Sequence, residues 1–167
     1  FMGNNINNAS WNNKIEGSSN HTNFFNGAVQ FGNNVVMEFQ GLNRFMQSVA
    51  FGNNANLDFE REGQYFAGSV SFGDNATLNF TDSLTINGSL TTGERANMRV
   101  NDISGATFIG GNLSLGPVSR PVVFERNTTI NGTTHIGERS RVTFSEQSNS
   151  TTVFNGNVNT AEDVYVK

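Results

Sequence analysis

The densest group of side chains able to do acid–base or metal chemistry is Asp58, Glu60, Arg61 and Glu62, with Asp74 and Asp82 one repeat further on. Carboxylates placed this way could hold calcium through hard oxygen ligands, or divide general acid and base roles. A solvated corner with local ion pairs is the preferred reading, because no other repeat reinforces these acids into a charged cleft. His21 and His135 are the only histidines, and His135 falls at an outward strand position. Glu94-Arg95 and Glu138-Arg139 recur at one corner and read as solvated turn charges. Gly110-Gly111-Asn112 resembles part of a calcium-binding nonapeptide turn but lacks the Asp such a turn needs. No nucleophile elbow, phosphate loop or metalloprotease helix is present. Without Cys, thiolate catalysis, disulfides and Cys-ligated zinc are excluded. No residue is assigned a catalytic, cofactor-binding or metal-ligating role, and a non-enzymatic chain is expected.

Composition says what must position these groups. Apolar residues make up only 35%, yet Phe occurs 15 times, and Phe at regular intervals can build a narrow core. Charged residues are 14%, with 18 Gly and two Pro, which favours ordered extended structure with tight turns over disorder. The net charge of −4 and the lack of a basic stripe make nucleic acid an unexpected partner. No apolar run reaches the ~18 residues of a membrane helix. The chain opens Phe1-Met2-Gly3 rather than with an initiator Met, so it is expected to be a piece of a longer protein. Asn occurs 27 times, and several Asn-x-Ser/Thr triplets occur, among them those at Asn75, Asn87, Asn127 and Asn131. Such triplets are N-glycosylation acceptors, but in a chain this rich in Asn, Ser and Thr the chance reading is preferred.

A repeat runs almost end to end, with a core close to F-x-G-x-V-x-F-G-x-N-A-x-L-x-F. The Gly after its last inward strand residue marks the phase: Gly32, Gly52, Gly73, Gly93, Gly116 and Gly137, then Ala161, in steps of 20, 21, 20, 23, 21 and 24 residues. Seven before the marker stand Phe25, Phe45, Phe66, Ile86, Ile109, Ile130 and Phe154; five before, Gly in every unit but the second, which has Gln47. Three before stand Val29, Val49, Val70, Leu90, Leu113, Thr134 and Val158; one before, Phe31, Phe51, Phe72, Thr92, Leu115, Ile136 and Thr160. This period of two predicts a strand with one face buried. A second alternating run follows each marker, as in Val35, Met37 and Phe39 or Ala55, Leu57 and Phe59, with one extra residue before Val122 and Phe124. A short third segment closes each turn, with Leu42, Leu84 or Ile103 facing inward.

Units this short cannot fold alone and must stack. The expected fold is all-β: a right-handed parallel β-helix, or solenoid, of about seven turns of 20–24 residues. At about 4.8 Å per turn the rod would be roughly 34 Å long. Antiparallel hairpins would not repeat the same side chain at the same phase. Residues 1–23 read as an irregular N-terminal turn or cap, in which Met2-Gly3 resembles a marker and Trp11 covers the stack; residues 24–167 are the repeats. The Gly five before the marker is expected inside, making room for large neighbours. The pairs Asn33-Asn34, Asn53-Asn54 and Asp74-Asn75 suit left-handed corners and a ladder of stacked amides. The outward face of the first strand is small and polar, but Ala28, Gln30, Asn157 and Asn159 break the Thr lattice that ice binding would need.

The phrases Phe25-Asn26-Gly27-Ala28-Val29, Ile86-Asn87-Gly88-Ser89-Leu90 and Phe154-Asn155-Gly156-Asn157-Val158 resemble the repeats of vacuolating-cytotoxin-like autotransporter passengers. The resemblance spans most of residues 24–166. It implies a β-helical segment of a passenger outside the cell or on the bacterial surface. That segment would act as a non-enzymatic adhesin or toxin-like domain without cofactors. It implies a host cell-surface protein or glycan as partner, the possibility of oligomers, and membrane contact only through other parts of a longer chain. The family's membrane-inserting apolar segment has no counterpart here. The alternatives are a purely structural spacer, a glycan-active β-helix enzyme and a phage tail fibre. Recognition is expected where the period slips: near Trp11, at Ser119 to Pro121 and at Glu146 to Ser150.

Overall fold

The computed structural model describes residues 5–6, 12–15, 22–61, 63–101, 105–144 and 147–167; for 5–6 and 12–15 it gives strand placement only. The described residues form three parallel sheets of eight, eight and seven strands. The turns give strands of two to four residues to each sheet in succession. Val29–Phe31 lies in the first, Val36–Phe39 in the second and Leu42–Phe45 in the third. Val49–Phe51 then returns to the first sheet, in register over Val29–Phe31. The chain is a parallel β-solenoid of about seven turns, as the repeat predicts.

The core is three columns of stacked Phe, one per sheet. Phe31, Phe51 and Phe72 stack at 4.6 and 5.0 Å between ring centroids. Phe39, Phe59 and Phe80 stack at 4.5 and 4.7 Å, and Phe25, Phe45 and Phe66 at 4.3 and 4.8 Å. The columns meet edge to face, as between Phe39 and Phe45 at 73°. Burying each ring contributes about 1.5–3 kcal/mol. Towards the C-terminus Ile86, Ile109 and Ile130 continue one column and Leu115 and Ile136 another, all buried. In the final turn Phe154 is half-buried and Val158 is 46% exposed, although both keep inward positions.

The corner after each marker works as expected. Asn34, Asn54, Asn75, Arg95, Val118, Arg139 and Asp163 all hold φ between 53° and 60°. Asn54 Nδ2 donates to Asn34 Oδ1 at 2.9 Å, and Asn75 Nδ2 to Asn54 Oδ1 at 3.2 Å. The residue before forms a parallel ladder: the Asn53 N–H donates to Asn33 Oδ1 at 2.8 Å, Asp74 N–H to Asn53 Oδ1 at 2.9 Å, and Glu94 N–H to Asp74 Oδ1 at 2.8 Å. This ladder reaches Pro117 next, which has no N–H to donate. A Cβ at marker Gly52 would lie 2.4 Å from Asn33 Oδ1 and 2.7 Å from the Gly32 carbonyl, so the stacking itself demands Gly.

Four expectations need correction. The run from seven before the marker to one before is not a single strand; the chain bends at residues 26–28, so Phe25 ends a strand of the third sheet and Val29 starts one of the first. The Gly column at this bend is half-buried rather than interior. A Cβ at Gly68 would strike the backbone of the turn below, at 2.5 Å from Ser48 N, so close backbone approach explains it; Gln47 in this column is exposed. Leu42 is only half-buried; its neighbour Asn43 faces inward instead, while Leu84 is buried as expected. Ile6 pairs with Phe31, so Ile6 rather than Met2 holds the position before the marker. Ile103 and Trp11 lie outside the described residues.

Candidate functional site

The acids singled out by type are distributed over the rod rather than gathered. Asp58, on the outer face of the second sheet, accepts from Asn79 Nδ2 at 3.1 Å. Glu60 and Glu38 share Gln40, whose Nε2 donates to them at 2.9 and 2.7 Å. Asp74 belongs to the ladder at the corner between the first and second sheets. Asp82 is buried at the next corner, where its Oδ1 accepts the Ser83 N–H at 2.8 Å. Arg61 is exposed, and its carbonyl accepts from Gln64 Nε2. Glu62 and His21 lie outside the described residues. Among the described residues no group of three or more His, Cys, Asp or Glu is placed to hold a metal ion.

The remaining candidates serve corners and faces. Asn112, within Gly110-Gly111-Asn112, accepts the Thr133 N–H at 2.8 Å. Arg95 donates to Asn75 Oδ1 at 2.9 Å and lies 3.6 Å from Glu94. Arg139 donates to Glu138 at 2.6 Å; that bond and the carboxylate's charge raise the guanidinium pKa. His135 is exposed on the first sheet between Ser114 and Asn159. Around Ala28, Gln30, Ser48, Ala50, Ser69 and Ser71 this sheet's outer face forms a shallow groove. Of the slip at Ser119 to Pro121, Ser119 turns inward, buried, with its Oγ donating to Gly116 O at 2.7 Å; only Arg120 and Pro121 are exposed.

The third sheet carries a feature that periodicity did not reveal. Its outward column runs Phe24, Arg44, Tyr65, Thr85, Phe108, Thr129 and Val153 in register. An aromatic therefore recurs at every second turn, about 9.6 Å apart at the strand spacing. Phe24 is 54% exposed and Val153 42%; Met46, at the adjoining bend, is 43% exposed. The Arg44 guanidinium lies 5.5 Å from the Tyr65 ring centroid, and Asn87 Nδ2 donates to the Tyr65 hydroxyl at 2.8 Å. Rings fixed on a flat, hydrogen-bonded sheet offer apolar surface at little entropic cost, flanked by polar groups. The signal for them was available in the doublets Phe24-Phe25, Tyr65-Phe66 and Phe108-Ile109, where one member must face out.

Comparison with known protein families, with curated proteins and with solved structures finds no match.

Proposed function

We propose that this rod is a β-helical segment of a secreted or surface-displayed bacterial autotransporter passenger and acts as a non-enzymatic, adhesin- or toxin-like host-interaction domain. The autotransporter part rests on the Phe/Ile-Asn-Gly repeats. The observation that carries the contact role is the third face, with Phe24, Tyr65 and Phe108 at two-turn spacing, alternating with Arg44 and Thr85. Aromatic faces flanked by hydrogen-bonding groups suit sugar rings and the aromatic anchors of protein interfaces. The partner is a host cell-surface protein or glycan, met outside the bacterial cell.

The test is binding of the purified chain to host cells and to a glycan array. It is compared with a Phe24→Ser, Tyr65→Ser, Phe108→Ser triple variant of unchanged thermal stability. Binding lost in the variant supports the reading. No binding by the parent chain would favour the structural spacer. A shortened polysaccharide after incubation would overturn the non-enzymatic assignment and favour a glycan-active enzyme.

A further inference from the structure

We infer that Asn149 is an N-glycosylation acceptor on the folded rod. The triplet Asn149-Ser150-Thr151 has the Asn-x-Thr form that N-glycosyl transfer requires. Six other triplets of this kind fall among the described residues, at Asn75, Asn79, Asn87, Asn112, Asn127 and Asn131. Geometry separates Asn149 from every one of them.

Each of the six uses its side-chain amide in a bond between turns. Asn75 donates to Asn54 and accepts from Arg95, at 3.2 and 2.9 Å. Asn79 donates to Asp58 and accepts from Asn101, both at 3.1 Å. Asn87 donates to the Tyr65 hydroxyl at 2.8 Å. The carbonyl oxygens of Asn112, Asn127 and Asn131 accept from Thr133 N–H, Thr151 N–H and Asn155 Nδ2, at 2.8, 2.9 and 2.8 Å. Presenting the nitrogen to a sugar would cost Asn75, Asn79 or Asn87 the bond that its Nδ2 donates. Asn112, Asn127 and Asn131 are held against the next turn through Oδ1, which fixes the amide in the ladder and resists its reorientation in a transferase site.

Asn149 has no such tie. Its side chain is exposed and makes no hydrogen bond to a described residue. It sits third in the turn Gln147–Ser150, closed by Ser150 N–H on the Gln147 carbonyl at 3.3 Å, with φ 68°. This turn belongs to the longer link between the second-sheet strand Arg141–Phe144 and the third-sheet strand Thr152–Phe154. Thr151, which supplies the hydroxyl two residues on, is also exposed and precedes the strand. In the transfer, Asn149 Nδ2 bonds to the anomeric carbon of a sugar pyrophosphate donor. The bond from that carbon to the phosphate oxygen breaks, the phosphate leaves with the electron pair, and one amide proton passes to a base of the transferase.

The experiment incubates the folded full chain in two arms, one with a soluble N-glycosyltransferase and a nucleoside-diphosphate sugar, the other with a membrane oligosaccharyltransferase and a lipid-pyrophosphate oligosaccharide. Peptides spanning 145–153 and 129–135 serve as unfolded controls, and peptide mass mapping reads the sites. In at least one arm, of the seven triplets among the described residues, only Asn149 of the folded chain is expected to gain sugar, while both peptides are modified. Asn149→Asp, which keeps a residue tolerant of positive φ, and Thr151→Ala are each expected to reduce the signal to background without moving the melting temperature. Occupancy at Asn131 or Asn87 of the folded chain equal to that at Asn149, or an unmodified Asn149 in both arms, would overturn the assignment. This inference does not depend on what the third face contacts.

Discussion

Asn54 passes its side-chain amide to Asn34 Oδ1 one turn below, at 2.9 Å, and both residues hold a left-handed backbone, at φ 58° and 60°. One residue type meets two demands here. Asn tolerates this backbone region, and its amide carries both a donor and an acceptor, so each rung can receive from one turn and give to the next. Asn54→Ala removes both properties. A left-handed Ala costs about 1–2 kcal/mol, and the two lost bonds, to Asn34 and from Asn75, about 0.5–1.5 kcal/mol each. The expected loss is therefore roughly 3 kcal/mol in urea unfolding. Asn54→Gly keeps the backbone freedom and should cost less; equal losses would show that the backbone is not the cause.

Val118 occupies the same column at φ 54° without either advantage. Its branched Cβ crowds the backbone in this region. Val118→Asn is expected to stabilise the rod by about 1 kcal/mol, the lower end of the cost of such strain. The denaturant midpoint checks it, and an unchanged or lower midpoint would mean that packing of the half-buried Val offsets the strain.

Phe51 lies 4.6 Å above Phe31 and 5.0 Å below Phe72. Truncation to Ala opens a cavity between rings already fixed by their own strands, so collapse around it is limited. The expected cost is about 3–5 kcal/mol, read from the shift in the urea midpoint at constant slope. A cost near 1 kcal/mol would mean that the column repacks.

The second sheet was legible because its inward residues keep an apolar alternation, as in buried Val35, Met37 and Phe39, that outward Val36 and Glu38 do not break. The third sheet was not, because both faces break that rule. Phe24 and Tyr65 face out, while Asn43 and Gln64 face in. Asn43 Nδ2 donates to Gln64 Oε1 at 3.1 Å, and each amide also reaches the Gly41 carbonyl, so these polar groups bury without being orphaned. The bend at Gly27 stayed hidden because Phe25, Gly27, Val29 and Phe31 keep one parity straight through it. The aromatic column needed strand register across turns, which a single period cannot supply. The corner was readable because the Asn pairs recur at a fixed distance from the marker.

Thr134 is fully buried in the column that Val29, Val49, Val70, Leu90 and Leu113 fill with apolar groups, and its Oγ1 has no partner. Replacing it with Val keeps the shape and removes the desolvated hydroxyl. Thr134→Val is expected to stabilise the rod by about 1 kcal/mol, within the range for an unsatisfied buried group. Thermal or urea unfolding tests this, and a destabilised variant would point to a hydrogen bond made by this hydroxyl.

Deleting residues 66–85 removes one whole turn in phase, since Thr85 and Ile86 sit over Tyr65 and Phe66. The corner ladder survives, because Glu94 and Arg95 then take the places of Asp74 and Asn75. Stacked repeats depend mainly on their nearest neighbours, so the shortened rod is expected to unfold cooperatively. Its denaturant slope should fall by about an eighth, in proportion to 20 residues of 167. Loss of a cooperative transition would instead mean that the turns are not interchangeable. The same deletion moves Phe108 from two turns above Tyr65 to one, halving their spacing while keeping both rings. A partner that spans the two rings should bind the shortened rod more weakly than the parent. Unchanged binding would show that the ring spacing is not read and would favour contacts elsewhere on the rod.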